Sequence, residues 1–208
     1  MCWRLFSNHV CPHVRHFVSS LPPEGAQSRG GPATCLMNLT DTDFDLFAVP
    51  ATFAQDRAAL DARWKELQRE AHPDRFAAQG TAAQRVAMQW SVRINEAYQR
   101  LKDPIKRATY LCELNGAPIN AENNTAMPPD FLMHQIEWRE ELEEAEDEAA
   151  IEKLRAEVEA GRARALSSLD WLIDEKGDYP GAAKQIRALM FIERFAHDIE
   201  MKSDQLGQ

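Results

Sequence analysis

No apolar run in the 208-residue chain approaches the eighteen or so residues that span a bilayer, so a membrane-spanning helix is excluded. Nor is there an excess of basic charge: 24 Lys and Arg face 33 Asp and Glu, a formal net of −9. Without clustered cations a broad phosphate-binding surface is excluded, and nucleic acid is not an expected partner. Cysteine is almost missing from the body of the chain, where Cys112 stands alone after residue 36. A disulfide framework is therefore excluded and a reducing compartment, the cytoplasm, is the expected setting. The sequence also lacks a Gly-rich phosphate loop, a nucleophile elbow and a metal triad, so no catalytic residue, metal site or cofactor is assigned.

What is present divides unevenly. Residues 1–36 carry Arg4, Arg15 and Arg29 against Glu24, a net of +2, which leaves −11 for residues 37–208. The leading stretch holds three of the four cysteines (Cys2, Cys11, Cys35) and three of the six histidines (His9, His13, His16). His9-Val10-Cys11-Pro12-His13 alternates potential ligands without the paired spacing of a structural zinc site, so no metal is expected there. The breakers in Pro22-Pro23-Glu24-Gly25 and Arg29-Gly30-Gly31-Pro32 read as a disordered extension or upstream read-through, with Met37 as an alternative start. A transit peptide is the competing reading, because the first 23 residues carry Arg and Ser without acid; the location would then be mitochondrial.

From Asp43 the pattern predicts helices throughout, an all-α fold. Asp43-Phe44-Asp45-Leu46-Phe47 is a short apolar segment stopped by Pro50, with Phe44 and Phe47 expected to pack on a helical hairpin downstream. Asp56 is placed to cap a helix carrying Leu60, Trp64, Leu67 and Ala71. Thr81 is placed to cap another, running to about Leu101 with Ala87, Ile94, Ala97 and Tyr98 on one face; Asp103-Pro104 opens a fourth that ends at Asn115-Gly116. Residues 115–129, rich in Pro, Gly and Asn, read as a linker between a first domain at 41–114 and a second at 130–205. In the second, Asp130 is placed to cap a helix to about Asp147. The next carries Ile151, Leu154, Val158, Ala165, Leu169 and Leu172 on one stripe, and after a turn at Gly177–Gly181 a third runs to about Lys202, making a three-helix bundle.

The hinge between the second and third helices is His72-Pro73-Asp74. Proline has no N–H and restricts its predecessor, so Pro73 ends the helix near Ala71 and projects His72 and Asp74 from the turn. A helical hairpin with this loop between flanking helices resembles a J-domain. That resemblance implies contact with a DnaK-type chaperone through His72, Pro73 and Asp74. It departs from many J-domains in having Ala71 where an aromatic residue precedes the tripeptide. The second helix also mixes Lys65 and Arg69 with Asp61, Glu66 and Glu70, so Arg75, Lys106 and Arg107 are expected to add to the docking charge.

On the first bundle helix Phe131, Trp138, Leu142 and Ala145 share one arc, while Leu132, Met133 and Ile136 lie outside it; on the last, Phe191 departs from the stripe of Ala182, Ile186, Leu189, Ile192 and Ala196. A helix apolar on two faces is buried on both or binds something, and the pattern alone leaves both readings open. The acidic run from Glu137 to Glu148 is by itself a solvated face.

The ordered set of Asp45-Leu46-Phe47, His72-Pro73-Asp74-Arg75-Phe76, Ile94-Asn95-Glu96-Ala97-Tyr98, Arg107-Ala108-Thr109-Tyr110-Leu111, Phe131-Leu132-Met133 and Arg139-Glu140-Glu141-Leu142 resembles the HscB-type J-domain co-chaperones of iron–sulfur cluster assembly, over residues 43–202. The resemblance implies two partners, the DnaK-type chaperone HscA at the tripeptide and the scaffold protein IscU on the bundle. It makes Leu132, Met133, Ile136 and Phe191 the apolar part of the scaffold site, with Glu137, Glu140 and Glu144 beside it, and favours partner binding over burial. A J-domain protein with another client is the main alternative. An acid–base enzyme built on His72 and Asp74 would need a second constellation around a substrate, which the sequence lacks, and direct carriage of a cluster would need several thiolates where the body has one.

Overall fold

In a computed structural model of the chain, the described residues are 41–120, 127 and 129–206; they form helices, with no strand among them. The expectations for residues 1–36 fall outside this range. The described residues belong to one compact unit.

The short helix α1 (Asp43–Phe47) is closed at its start by a capping box between Thr42 and Asp45. It ends before Pro50, at Ala48, which turns the chain with a left-handed φ of 53°. Helix α2 (Arg57–Glu70) begins at Asp56, whose carboxylate accepts from Ala58 N and Ala59 N at 2.8 and 3.3 Å. Helix α3 (Thr81–Lys102) departs from expectation at its first residue. Thr81 lies inside the helix and the cap position is Gly80, at a φ of 94° that favours glycine, so the turn out of the tripeptide loop takes precedence over a side-chain cap. Helix α4 (Pro104–Leu114) has Pro104 in its first turn and the Asp103 carboxylate on Ile105 N and Lys106 N at 2.9 and 3.1 Å.

Leu60, Leu67, Ile94, Ala97, Leu101, Leu111, Phe44 and Phe47 fill the core of this half. One charge is buried with them. Asp43 has no solvent exposure; Arg100 bonds it at 2.7 Å, and Arg93 makes a close ionic contact at 2.6 Å whose alignment falls short of a hydrogen bond. Tyr110 Oη accepts from Asp43 N, so α1 is tied to α3 and α4 through one residue.

In the other half α5 (Pro129–Glu144) starts one residue before Asp130, α6 (Glu148–Asp170) is capped by Asp147, and α7 (Tyr179–Leu206) extends past Lys202. The expected stripe of α6 is buried from Ile151 to Leu169, but Leu172 is only half-buried. A π-helical turn over Trp171–Glu175 widens the helix there, and Ile173 takes the inward position. α6 and α7 pack along their lengths, with Arg155–Glu200 and Arg162–Glu193 pairs at 3.2 and 2.5 Å on the surface. α5 is held mainly by aromatic rings: Trp138 is buried, stacks on Phe195 at 5.8 Å and reaches α6 where Gly161 leaves room, since a Cβ there would lie 3.1 Å from the indole.

The halves meet where α4 packs on α7. Here Arg107 corrects the sequence reading. Expected as an exposed docking cation, it is 9% exposed, donating to Phe53 O at 2.8 Å and Leu101 O at 2.5 Å with its guanidinium over the Phe53 ring. Burial pulls its pKa below the ordinary arginine value, against the opposing pull of Asp103 and Asp174. Arg187 makes a second such bond, to Ile119 O at 2.9 Å.

Removing one partner of a buried ionic cluster leaves the remaining charges uncompensated, although Arg93 and Arg100 keep some hydration. Asp43→Ala should therefore lower unfolding free energy by roughly 3 kcal/mol. Asp61→Ala, which removes an exposed pair with Arg57 and the bond from Tyr98, should cost clearly less. Urea titrations of the two variants compare them directly.

Candidate functional site

Two outward surfaces carry the chemistry expected from the sequence. The first is the loop after α2. Pro73 blocks continuation of α2 and opens a 3₁₀ segment, Pro73–Gln79. His72 is extended and its Nδ1 accepts from Asp74 N at 3.3 Å, so the imidazole acts as the cap of this segment. Nδ1 also lies 3.6 Å from Asp74 Oδ2, so the imidazole and the carboxylate share one tight turn. The Asp74 side chain is 89% exposed and that of His72 58%. No arginine or lysine among the described residues pairs with Asp74.

The stem beneath the loop is well fixed. Ser91 Oγ donates to Ala71 O at 3.0 Å, Gln68 Nε2 donates to Ser91 O at 3.1 Å, and Trp64 stacks on Tyr98 at 4.8 Å. Arg75 reaches back to Arg69 O, a terminal carbonyl of α2, at 3.3 Å. Tyr98 Oη donates to Asp61 at 2.7 Å; this bond and Arg57 hold the Asp61 carboxyl below its usual pKa, and the Tyr98 phenol is raised in turn.

Of the expected basic partners, Lys65 and Arg69 are exposed on α2 and Arg75 on the loop. Lys106 is exposed on α4 and lines a groove of about 810 Å³ between α3, α4 and α7. Arg107 belongs to the seam between the halves.

The second surface is the outer face of α5. Phe131, Trp138, Leu142 and Ala145 turn inward, whereas Leu132, Met133 and Ile136 are 43, 61 and 53% exposed. The other half of the molecule does not cover them. Glu137, Glu140 and Glu144 are exposed on the same helix, and Glu137 is bonded to His134 Nδ1 at 3.1 Å. Phe191 is a partial member: it is half-buried, edge-on to Phe131 at 5.8 Å, stacked on Phe195 and covered by the Arg139 guanidinium at 5.6 Å. It departs from the α7 stripe because it anchors α5.

Sequence reasoning missed the apolar side chains of α3 that face solvent, Val86, Met88 and Val92. Attention to the core positions of α3 passed over them, although Met88 and Val92 share a face at i, i+4 spacing. Among the described residues no group of three or more His, Cys, Asp or Glu could hold a metal ion, and no helix is long and apolar enough to cross a membrane.

A family profile described as "HSCB C-terminal oligomerisation domain" matches residues 127–200. A co-chaperone protein HscB homolog of Burkholderia mallei is 49% identical over 174 residues, covering 82% of this chain and 99% of the relative. Among solved structures, the chaperone HscB from Vibrio cholerae is 36% identical with a TM-score of 0.68, over 80% of this chain and 99% of that one. The human co-chaperone protein HscB is 27% identical with a TM-score of 0.75, over 86% and 93%.

Cys112, fully buried on α4, gives a check on the packing behind both surfaces. Burial, reinforced by Glu113, pushes its thiol up to about 11. The unfolded thiol releases its proton first, so this group's contribution to stability is present below the ordinary thiol range and falls as pH rises towards about 11. At pH 8, with Cys2, Cys11 and Cys35 replaced by serine, a thiol-reactive disulfide reagent should label nothing in the native protein and one thiol in urea.

Proposed function

The chain belongs to the HscB family of co-chaperones, and we propose that it stimulates the ATPase of a DnaK-type chaperone, HscA, and delivers to it the iron–sulfur scaffold IscU. The observation that carries this reading is the coexistence, in one compact unit, of a carboxylate presented by a pinned loop and an uncovered apolar face flanked by acids. In this reading residues 41–114 serve the chaperone and residues 130–205 the client, and the chain catalyses no reaction of its own.

Asp74 has no Arg or Lys partner among the described residues and is held out by a short segment whose backbone Pro73 and His72 fix. Its carboxylate is suited to an arginine of the chaperone, where two parallel N–H···O bonds set orientation as well as affinity. His72 orders the segment through Nδ1 and leaves Nε2 for a partner. Lys65, Arg69 and Arg75 add a modest positive fringe that favours an acidic chaperone surface. On α5, Leu132, Met133 and Ile136 offer apolar area within a ring of carboxylates, which fits a client with an apolar spot beside basic residues. The cluster itself is cargo held by the client, consistent with a body that has one buried thiol.

Asp74→Asn should leave the fold intact and remove ATPase stimulation. Loss of a charge-assisted contact of about 1.5–3 kcal/mol weakens functional docking roughly 10- to 150-fold. Normal stimulation by the folded variant would refute the assignment. Leu132→Ala with Ile136→Ala should weaken scaffold binding by about 2 kcal/mol or more while basal stimulation stays within about two-fold. Retained scaffold affinity in a helical variant would favour the reading of a J-domain protein with another client. Phe191 is unsuited to this test, because its loss also loosens α5.

A further inference from the structure

Asp174 stands where the bundle meets the other half, and both its carboxylate oxygens go to one stretch of backbone. Oδ1 accepts from Phe53 N at 2.7 Å and Oδ2 from Ala54 N at 2.8 Å. Arg107 grips the same residue from the opposite side, through Phe53 O at 2.8 Å and across the ring. A loop of the tripeptide-bearing half is thus sandwiched between its own cation and an anion of the bundle. Asp174 reaches this position from the one π-helical turn among the described residues, Trp171–Glu175. Such turns are rare and occur mostly as single-turn bulges inside α-helices, frequently at functional sites. Elsewhere the seam includes apolar packing of α4 on α7, the weak Cys112 Sγ contact to Tyr179 O at 3.7 Å, and the Arg187 bond to Ile119 O.

We propose that Asp174 is a positioning residue: by holding the Phe53–Ala54 peptide it fixes the angle between the half that bears Asp74 and the bundle that bears Leu132 and Ile136. A client on α5 is then presented at a set orientation to a chaperone docked at the loop. The functional consequence rests on the two-partner reading above, whereas the angle does not. Asp174, Phe53 and Ala54 belong to neither binding surface, so each surface keeps its own affinity when the clamp is released.

The test uses the full chain with Cys2, Cys11 and Cys35 replaced by serine, and nitroxide labels at Gln89→Cys on α3 and Ala163→Cys on α6. Asp174→Asn turns one acceptor into an amide donor facing an N–H, and Asp174→Ala removes both acceptors. Either variant should broaden the distance distribution between the labels while far-ultraviolet circular dichroism is unchanged. Stimulation of the chaperone without scaffold, and scaffold affinity, should stay within about two-fold, while the extra stimulation brought by adding scaffold falls about five-fold or more. A distribution as narrow as that of the parent chain in both variants overturns the proposal, as does full scaffold-dependent stimulation in a variant whose distribution has broadened. A parent chain that neither stimulates nor binds scaffold would instead refute the two-partner reading, and the distance measurement would still decide the clamp.

Discussion

A buried guanidinium sets the frame of this molecule. Arg107 spends its Nε and Nη1 protons on the carbonyls of Phe53 and Leu101, so that the loop after α1, the end of α3 and the start of α4 converge on one charge. Burying a cation is costly unless its donors are satisfied, and here they meet carbonyls while Asp103 and Asp174 supply opposing charge. Such an arrangement contributes less to stability than to definition, because only one placement of the three segments satisfies it. Asp43 plays the converse part nearby, an anion without exposure held by Arg93 and Arg100.

With the junction defined in this way, the two outward surfaces inherit fixed supports. The loop of His72, Pro73 and Asp74 rests on a stem closed by Ser91, Gln68 and the Trp64–Tyr98 stack, and its own imidazole completes the turn. The α5 face differs. It rides on the outside of the α6–α7 pair, attached through Phe131, Trp138, Phe191 and Phe195, with Gly161 admitting the indole. One surface is therefore short, polar and rigid, and the other broad, apolar and carried on an aromatic hinge. That contrast fits the proposed reading, in which the loop meets the chaperone at a point and α5 meets the client over an area.

Much of this was legible in the residues. Helical periodicity located α2, α3, α6 and α7, because each buries one stripe, and Asp56 and Asp103 announced their helices by chemistry that acts within three residues. The second apolar face of Leu132, Met133 and Ile136 was legible from the pattern, which left burial and exposure both open until the structure showed it exposed. Three features were hidden, each for a long-range reason. Arg107 reads as a surface cation until Phe53 O, 54 residues away, is brought to it. Thr81 loses its capping role because Gly80 must carry the turn out of the tripeptide loop. The π-helical turn that exchanges Leu172 for Ile173 obeys no local propensity, and Asp174 finds its partners 120 and 121 residues back along the chain.

The proposal that one compact unit presents two separate surfaces to two different proteins makes a sharp demand on backbone protection. Hydrogen–deuterium exchange on the full chain, alone, with the chaperone and with the scaffold, measures that protection segment by segment. The chaperone should protect backbone around residues 65–76 and leave α5 unchanged, the scaffold should protect residues 131–144 and leave the loop unchanged, and both footprints should persist when all three proteins are mixed. A single shared footprint, or loss of one when the other partner is added, would contradict the two-surface arrangement.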